Sequence, residues 1–347
     1  MGGKPAVSAN RIKLVYTGGT LGMVRSERGL TPSPNLRQLL DAKIPELGSD
    51  LVPSFDLITF GDAADSADFV PCTWYELAAV LREQTSAGNG CVVIQGTDTM
   101  AYTASALSYL LGDVQVPVIL TGSQLPLGEL RSDAKTNLLT ALEVAEAGRI
   151  REVAVCFGHR VMRGNRVTKI RSESFDAFVS PNFPDLASVG TEVRYRGIDP
   201  PPLLPDGLVS KAAYRTVNII VMPVYPGLEE GLLRSIANLR PEGLILECYG
   251  SGTFPGHDRK LLEALAEVSR SDTVVVALTQ CLTGGASLER YATGRVLVDY
   301  GVLSGMEMTR EAAYTKLHYL SALGLSKSRI SDYMGSNLRG EIGTARH

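Results

Sequence analysis

Short, almost uninterrupted apolar runs recur along this chain, and each stops at a polar turn rich in glycine or threonine. Arg11–Tyr16 runs into TGGT, Gly90–Gln95 into GTDT, Val116–Leu120 into TGSQ and Val153–Phe157 into GHR. A strand that is apolar at every position, rather than at alternate ones, is covered on both faces. That is the condition of strands in a parallel sheet flanked by helices. Helix-length stretches separate the runs: Thr73–Thr85, Ala101–Leu111 and Asp133–Ala147. In the third, Leu138, Leu139, Ala141, Leu142 and Ala145 form one apolar stripe at helical spacing. The alternation predicts an α/β fold with a mostly parallel sheet.

The pattern breaks once. Between Gly190 and Ser210 the chain is turn-rich and carries Pro200, Pro201, Pro202 and Pro205, a density that excludes a helix or a central strand. This stretch is read as a linker, residues 199–214, between a larger domain over 1–198 and a smaller one over 215–347. Beyond it the strand–helix alternation resumes. Strands are expected at Val217–Met222, Gly243–Cys248 and Thr273–Leu278, and helices at Glu229–Asn238, Lys260–Ser269, Thr309–Ala322 and Lys327–Gly335.

Several function classes are excluded early. The formal charge of −3 lacks the basic excess of a nucleic-acid-binding chain. No run approaches the ~20 apolar residues of a membrane span. MGGKPAVSANR has no apolar stretch behind its lysine, so no secretory leader is expected, and a cytoplasmic location follows. Cys72, Cys91, Cys156, Cys248 and Cys281 are odd in number and contain no CxxC pair, which reads as buried thiols in a reducing compartment. His159, His257, His318 and His347 show no metal-ligand spacing, and His347, the last residue, is expected to be disordered. No metal and no cofactor are expected.

The chemistry gathers just after the strands, where ligands bind in open parallel sheets. In TGGT, Gly18 and Gly19 permit a sharp turn and leave the Thr20 hydroxyl at the crevice mouth. TGGT matches neither GxGxxG nor the phosphate-loop pattern, so a nucleotide site is not supported. In GTDT, Asp98 or Thr99 could cap the following helix. Alternatively, the Asp98 carboxylate could receive a substrate ammonium. A threonine hydroxyl needs a proton acceptor to act as a nucleophile. No histidine is placed for that task, which leaves Lys135, read as a surface residue of a helix, or Lys169 in a loop. Arg163, Arg166 and Arg171 are expected to surround Lys169 and favour its neutral form.

Taken in order, these stretches closely resemble the bacterial-type L-asparaginases, specifically their intracellular type I branch. The matching segments are YTGGTLGM (Tyr16–Met23), GTDTMAYTASALSYLL (Gly96–Leu111), TGSQLPLGELRSDAKTNLL (Thr121–Leu139), RGNRVTK (Arg163–Lys169), FDAFVSPN (Phe175–Asn182), LTQC (Leu278–Cys281), YATG (Tyr291–Gly294) and TKLHYL (Thr315–Leu320). The resemblance implies two α/β domains: a larger, flavodoxin-like N-terminal one with a parallel or mixed sheet, and a smaller, Rossmann-like C-terminal one. It also implies a homodimer or dimer of dimers with sites completed at a subunit interface. The implied reaction is hydrolysis of L-asparagine to L-aspartate and ammonia. Thr20 resembles the nucleophile and Thr97 the second catalytic threonine. Asp98 and Lys169 resemble the partners of Thr97 in a proton-handling triad. Asp65, Ser66 and Ala67, together with Thr97 and Asp98, fall at substrate-binding positions; Asp65, Ser66 and Asp98 resemble the groups that hold the α-amine and α-carboxylate.

Three positions depart from that family pattern. Leu30 stands where type I members usually carry a tyrosine that assists the nucleophile from the loop Val24–Pro32. Ala67 replaces a serine, so one substrate contact is missing or comes from the backbone. Glu247 replaces an arginine that holds an effector asparagine in allosteric members, and a carboxylate there repels the effector's carboxylate. Two other readings stand beside the main one. The same scaffold could act on L-glutamine, D-asparagine or a lysophospholipid. The chain could also be a non-enzymatic amino-acid-binding protein. Amidotransferase and lysophospholipase relatives usually carry an extra N-terminal domain or ankyrin repeats, which these residues do not show.

Overall fold

The computed structural model describes residues 12–27, 29–33, 35–208, 213–290 and 292–343. Expectations about the N-terminal MGGKPAVSANR, residue 28 of the Val24–Pro32 loop, residues 209–212 of the linker, Tyr291 of YATG and His347 lie outside them. The first part contains β1 (Ile12–Gly18), β2 (Met23–Ser26), β3 (Gly29–Pro32), α1 (Leu36–Lys43), β4 (Phe55–Ala64), α2 (Pro71–Ser86), β5 (Cys91–Ile94) and α3 (Met100–Leu110). It continues through β6 (Val118–Thr121), α4 (Ala134–Ala147), β7 (Val153–Phe157), β8 (Arg160–Arg163), β9 (Thr168–Lys169), β10 (Phe178–Val179), β11 (Ala187–Val189) and β12 (Val193–Tyr195). The second part holds β13 (Ile219–Pro223), α5 (Glu230–Leu239), β14 (Gly243–Cys248), α6 (Arg259–Arg270), β15 (Val274–Thr279), α7 (Ala292–Asp299), β16 (Leu303–Ser304), α8 (Arg310–Ala322) and α9 (Lys327–Met334).

Eight strands form the first sheet in the order β12-β11-β8-β7-β6-β5-β1-β4. From β7 to β4 every pairing is parallel, while β7–β8, β8–β11 and β11–β12 are antiparallel. The second sheet, β13-β14-β15-β16, is parallel throughout. Burial follows the apolar runs: every residue of β5, β6, β7 and β14 is buried. The chain therefore folds into two α/β sheet units, as the alternation predicts.

The turn-rich stretch starting at Gly190 is not irregular throughout. It contains β12, which pairs with β11 at the edge of the first sheet. Val193 and Tyr195 alternate with the exposed Arg194, and period-2 alternation suits an edge strand with one covered face. The prolines begin only after it.

The two units share a core. The helix α3 is buried at nearly every position because it packs on its own sheet and on α8 of the second unit. Ser105 and Thr315 share a 2.7 Å hydrogen bond across that contact. Leu107 of α3, Val153 of β7, Ile245 of β14 and Leu317 of α8 belong to one buried cluster. Removing this much apolar surface from water, at about 25 cal/mol per Å², is what holds the units together. Among the described residues, no helix is long and apolar enough to cross a membrane.

Candidate active site

The strand order reverses beside β1. The chain leaves β1 for β4 on one side, and later strands extend from β5 on the other. Such a reversal opens a crevice at the carboxyl ends of the two strands flanking it. TGGT spans the last two residues of β1 and the turn beyond it, and GTDT follows β5, so both threonine segments end at this crevice. Gly18 and Gly19 have φ of 115° and 88°, a region that L side chains seldom adopt. A Cβ on Gly19 would lie 2.2 Å from the Gly96 nitrogen, and one on Gly18 2.1 Å from the Ala64 oxygen. The ends of β1 and β4, and the turns after β1 and β5, thus touch backbone to backbone. Thr20, Asp65 and Thr97 each lie one residue beyond a contact point. Gly96 leaves room for Ser66, whose Oγ would lie 2.6 Å from a Cβ at 96.

Lys169 reaches the same place from β9, which is held by antiparallel pairing to β10. Its ammonium donates to Thr97 Oγ1 at 2.8 Å and to Asp98 Oδ1 at 2.6 Å. The lysine side chain is mostly covered, whereas that of Asp98 is 64% exposed, so the pair adds little stability and serves chiefly to orient the amine. Because the amine donates into the Thr97 oxygen, the hydroxyl proton must point elsewhere. It points to Gln124 Oε1, at a long 3.4 Å. The Gln124 amide cannot flip freely, since its Nε2 donates to Ser172 O at 2.9 Å and Ser174 O at 3.1 Å. The buried Asp133 carboxylate accepts from the backbone nitrogens of Gln124 and Leu125 at 3.1 Å. Gln124 and Asp133 carried no role in the sequence reading. The available signal was the position of TGSQ directly after a strand of the first sheet.

Other expectations resolve differently. Arg163, Arg166 and Arg171 do not turn on Lys169. Arg163 binds Glu152 at 2.6 Å, Arg166 binds Glu307 at 3.0 Å, and Arg171 binds Asp176 at 2.8 Å. A guanidinium keeps the nearest carboxylate that satisfies it, and each has one that is not at the lysine. Lys135 pairs with Glu46 on the surface and stays apart from the cluster. Thr99 occupies the N-cap of α3, yet its hydroxyl donates to Ser66 O at 2.8 Å instead of capping. The Asp65 carboxylate accepts from Ala67 N at 3.0 Å, so the backbone donor of Ala67 is already committed. Leu30 lies on the β2–β3 hairpin opposite Arg25, half exposed. Glu247 is buried and held by Arg310 Nε at 2.5 Å. Of the five free thiols, Cys91, Cys156 and Cys248 are buried, Cys72 is partly covered and Cys281 is exposed.

Residues 11–199 match the family model described as asparaginase, N-terminal, and residues 218–334 the one described as glutaminase/asparaginase C-terminal domain. L-asparaginase 1 of Escherichia coli is 42% identical over 331 residues, covering 95% of this chain and 97% of that protein. The 60 kDa lysophospholipase of Mus musculus is 34% identical, over 96% of this chain but 62% of its own length. The solved structure of L-asparaginase I from Vibrio cholerae superposes with a TM-score of 0.83 at 36% identity, covering 97% of this chain and all of that one. Matches over both sheet units, together with a threonine–lysine–aspartate cluster at the strand reversal, show that the chain belongs to the asparaginase family.

Proposed function

We propose that this protein is an L-asparagine amidohydrolase. The observation that carries the reading is the Lys169 amine, held 2.8 Å from Thr97 Oγ1 and 2.6 Å from Asp98 Oδ1 beside the TGGT loop. A binding protein has no need of an amine on a hydroxyl, whereas acyl transfer does. The Thr20 hydroxyl adds to the side-chain carboxamide carbon of the substrate. Backbone N–H groups around Thr20 and Thr97 stabilise the oxyanion. The C–N bond breaks as the nitrogen gains a proton and leaves as ammonia. Water then adds to the Thr20 ester and releases L-aspartate. The Lys169 ammonium first yields a proton to the Asp98 carboxylate. Its free amine then takes the Thr20 proton through Thr97 Oγ1 and passes it to the leaving nitrogen, and in the second half it takes a proton from water and returns it to Thr20. Asp65, Ser66 and Asp98 hold the α-amine and α-carboxylate, with Ala67 at the edge of that subsite. Hydroxyl, amine and carboxylate supply the nucleophile and the proton carriers, so the reading assigns no cofactor.

The assembly belongs to the same proposal: a homodimer or a dimer of dimers, acting on a small molecule and not on nucleic acid or membrane. Light scattering on a sizing column checks it, and a monomer with full activity refutes it. For the reaction, ammonia release is measured with L-asparagine, D-asparagine and L-glutamine, and fatty-acid release with a lysophospholipid. Turnover dominated by L-asparagine and abolished in Thr97→Ala supports the assignment. Fatty-acid release without ammonia moves the activity to an ester substrate. Asparagine binding without ammonia from any amide makes the chain a sensor.

A further inference from the structure

The segment that delivers Lys169 is gripped by the other sheet unit. Asn165 Nδ2 donates to Arg339 O at 2.9 Å, and Arg166 donates to Gly340 O at 2.5 Å and to Glu307 at 3.0 Å. One residue before the lysine, the Thr168 hydroxyl donates to Glu311 Oε1 at 2.8 Å. Successive side chains of a strand leave on opposite faces. With Thr168 tied to Glu311, Lys169 is set toward Thr97 and Asp98. The strand β9 has only these two residues, paired to two of β10, so the ladder alone fixes it weakly. Glu311 lies in the first turn of α8, behind the Thr309 cap, and lines a cavity of about 220 Å³ between the units with Thr168, Glu247 and Arg310. It is buried, and its second oxygen has no hydrogen-bond partner. Burial raises its carboxyl above the usual range. An under-satisfied buried acid costs stability, which calls for a compensating use.

We propose that Glu311 is a positioning residue for the reaction: through the Thr168 hydroxyl it sets the direction of the Lys169 amine, so that a side chain of the second unit controls chemistry in the first. The inference rests on Lys169 as the proton carrier of the proposed function. The test uses the full-length protein with Glu311→Ala, Glu311→Gln, Thr168→Val, the double variant Glu311→Ala/Thr168→Val, and Lys169→Gln. Ammonia release from L-asparagine is resolved into kcat and KM, and thermal unfolding is followed in parallel. Glu311→Ala and Thr168→Val are expected to lower kcat at least tenfold with KM within twofold. The double variant should match the worse single one, because both break the same link. Glu311→Gln keeps an acceptor for Thr168 and should recover most of kcat. Thr168→Val preserves side-chain shape, so it stays informative if Glu311→Ala unfolds. Wild-type kcat in Thr168→Val, additive losses in the double variant, or no recovery in Glu311→Gln would each overturn the proposal. Full activity in Lys169→Gln removes the underlying reading instead, which separates the two failures.

Discussion

Acid should loosen this fold through one histidine. His318 of α8 is 2% exposed and sits against Trp74 and Tyr75 of α2 and Tyr314 of its own helix, with ring centroids 5.9 to 6.5 Å away. Its Nε2 has no hydrogen-bond partner. Burial, reinforced by Arg215 and opposed by Glu242, lowers its pKa from 6.5 to about 4. In the folded chain the ring stays neutral until about pH 4, whereas the unfolded chain protonates it near 6.5. The unfolded state therefore binds more protons between these values, and stability falls as pH falls through the window. At about 1.4 kcal/mol per pH unit the full gap corresponds to about 3 kcal/mol, with about 2 kcal/mol of it lost between pH 7 and pH 5. The measurement is urea unfolding of wild type and His318→Gln at both pH values. Other acid-sensitive groups affect both proteins alike, so the difference between their losses isolates the histidine. Wild type should lose about 2 kcal/mol more than the variant over this interval. Equal losses would refute the reasoning, because a ring reached by water or given a partner would titrate near its ordinary value.

Three further outcomes are expected. The Gly19→Ala substitution places a Cβ 2.2 Å from the Gly96 nitrogen at a φ of 88°, so it should displace the TGGT loop and cut ammonia release at least about tenfold; wild-type turnover would show that the backbone contact is dispensable. Glu152 and Arg163 form a two-pronged pair, each 6% exposed, so Glu152→Ala should cost about 3–5 kcal/mol in urea unfolding by stranding a buried guanidinium, and a loss under about 1 kcal/mol would contradict that. Because Glu247 is a buried carboxylate bound to Arg310, L-asparagine saturation should be hyperbolic, and a sigmoidal curve would show that an effector still occupies the cavity between the units.

How legible the molecule was depends on the range of the interactions involved. The strands β5, β6, β7, β14 and β15 were readable because both faces are covered and nearly every side chain is apolar. The strand β4, FDLITFGDAA, lies at the sheet edge, mixes exposed and covered positions and gave no such signal. The antiparallel flank β8, β11 and β12 is short, and the exposed Arg160 and Arg194 interrupt its apolar pattern, so β12 gave no strand signal within the turn-rich stretch before the prolines. Thr20, Thr97, Asp98 and Lys169 could be nominated because they sit on segments whose spacing resembles a known family. Gln124 was overlooked because its link to Thr97 spans 27 residues and leaves no local pattern. Arg166 was misjudged for the same reason, since it reaches Glu307 across 141 positions.

By its own periodicity the chain determined two mostly parallel sheets clad in helices, with polar glycine–threonine turns at the strand ends, since covering an extended backbone on both faces demands unbroken apolar runs. Tertiary structure alone decided which turns meet, which charge answers which, and that the strand bearing Lys169 is held from the other unit. Those choices depend on distances between residues far apart in sequence. Electrostatic and hydrogen-bond partners are selected by proximity in space, and one-dimensional spacing does not encode it.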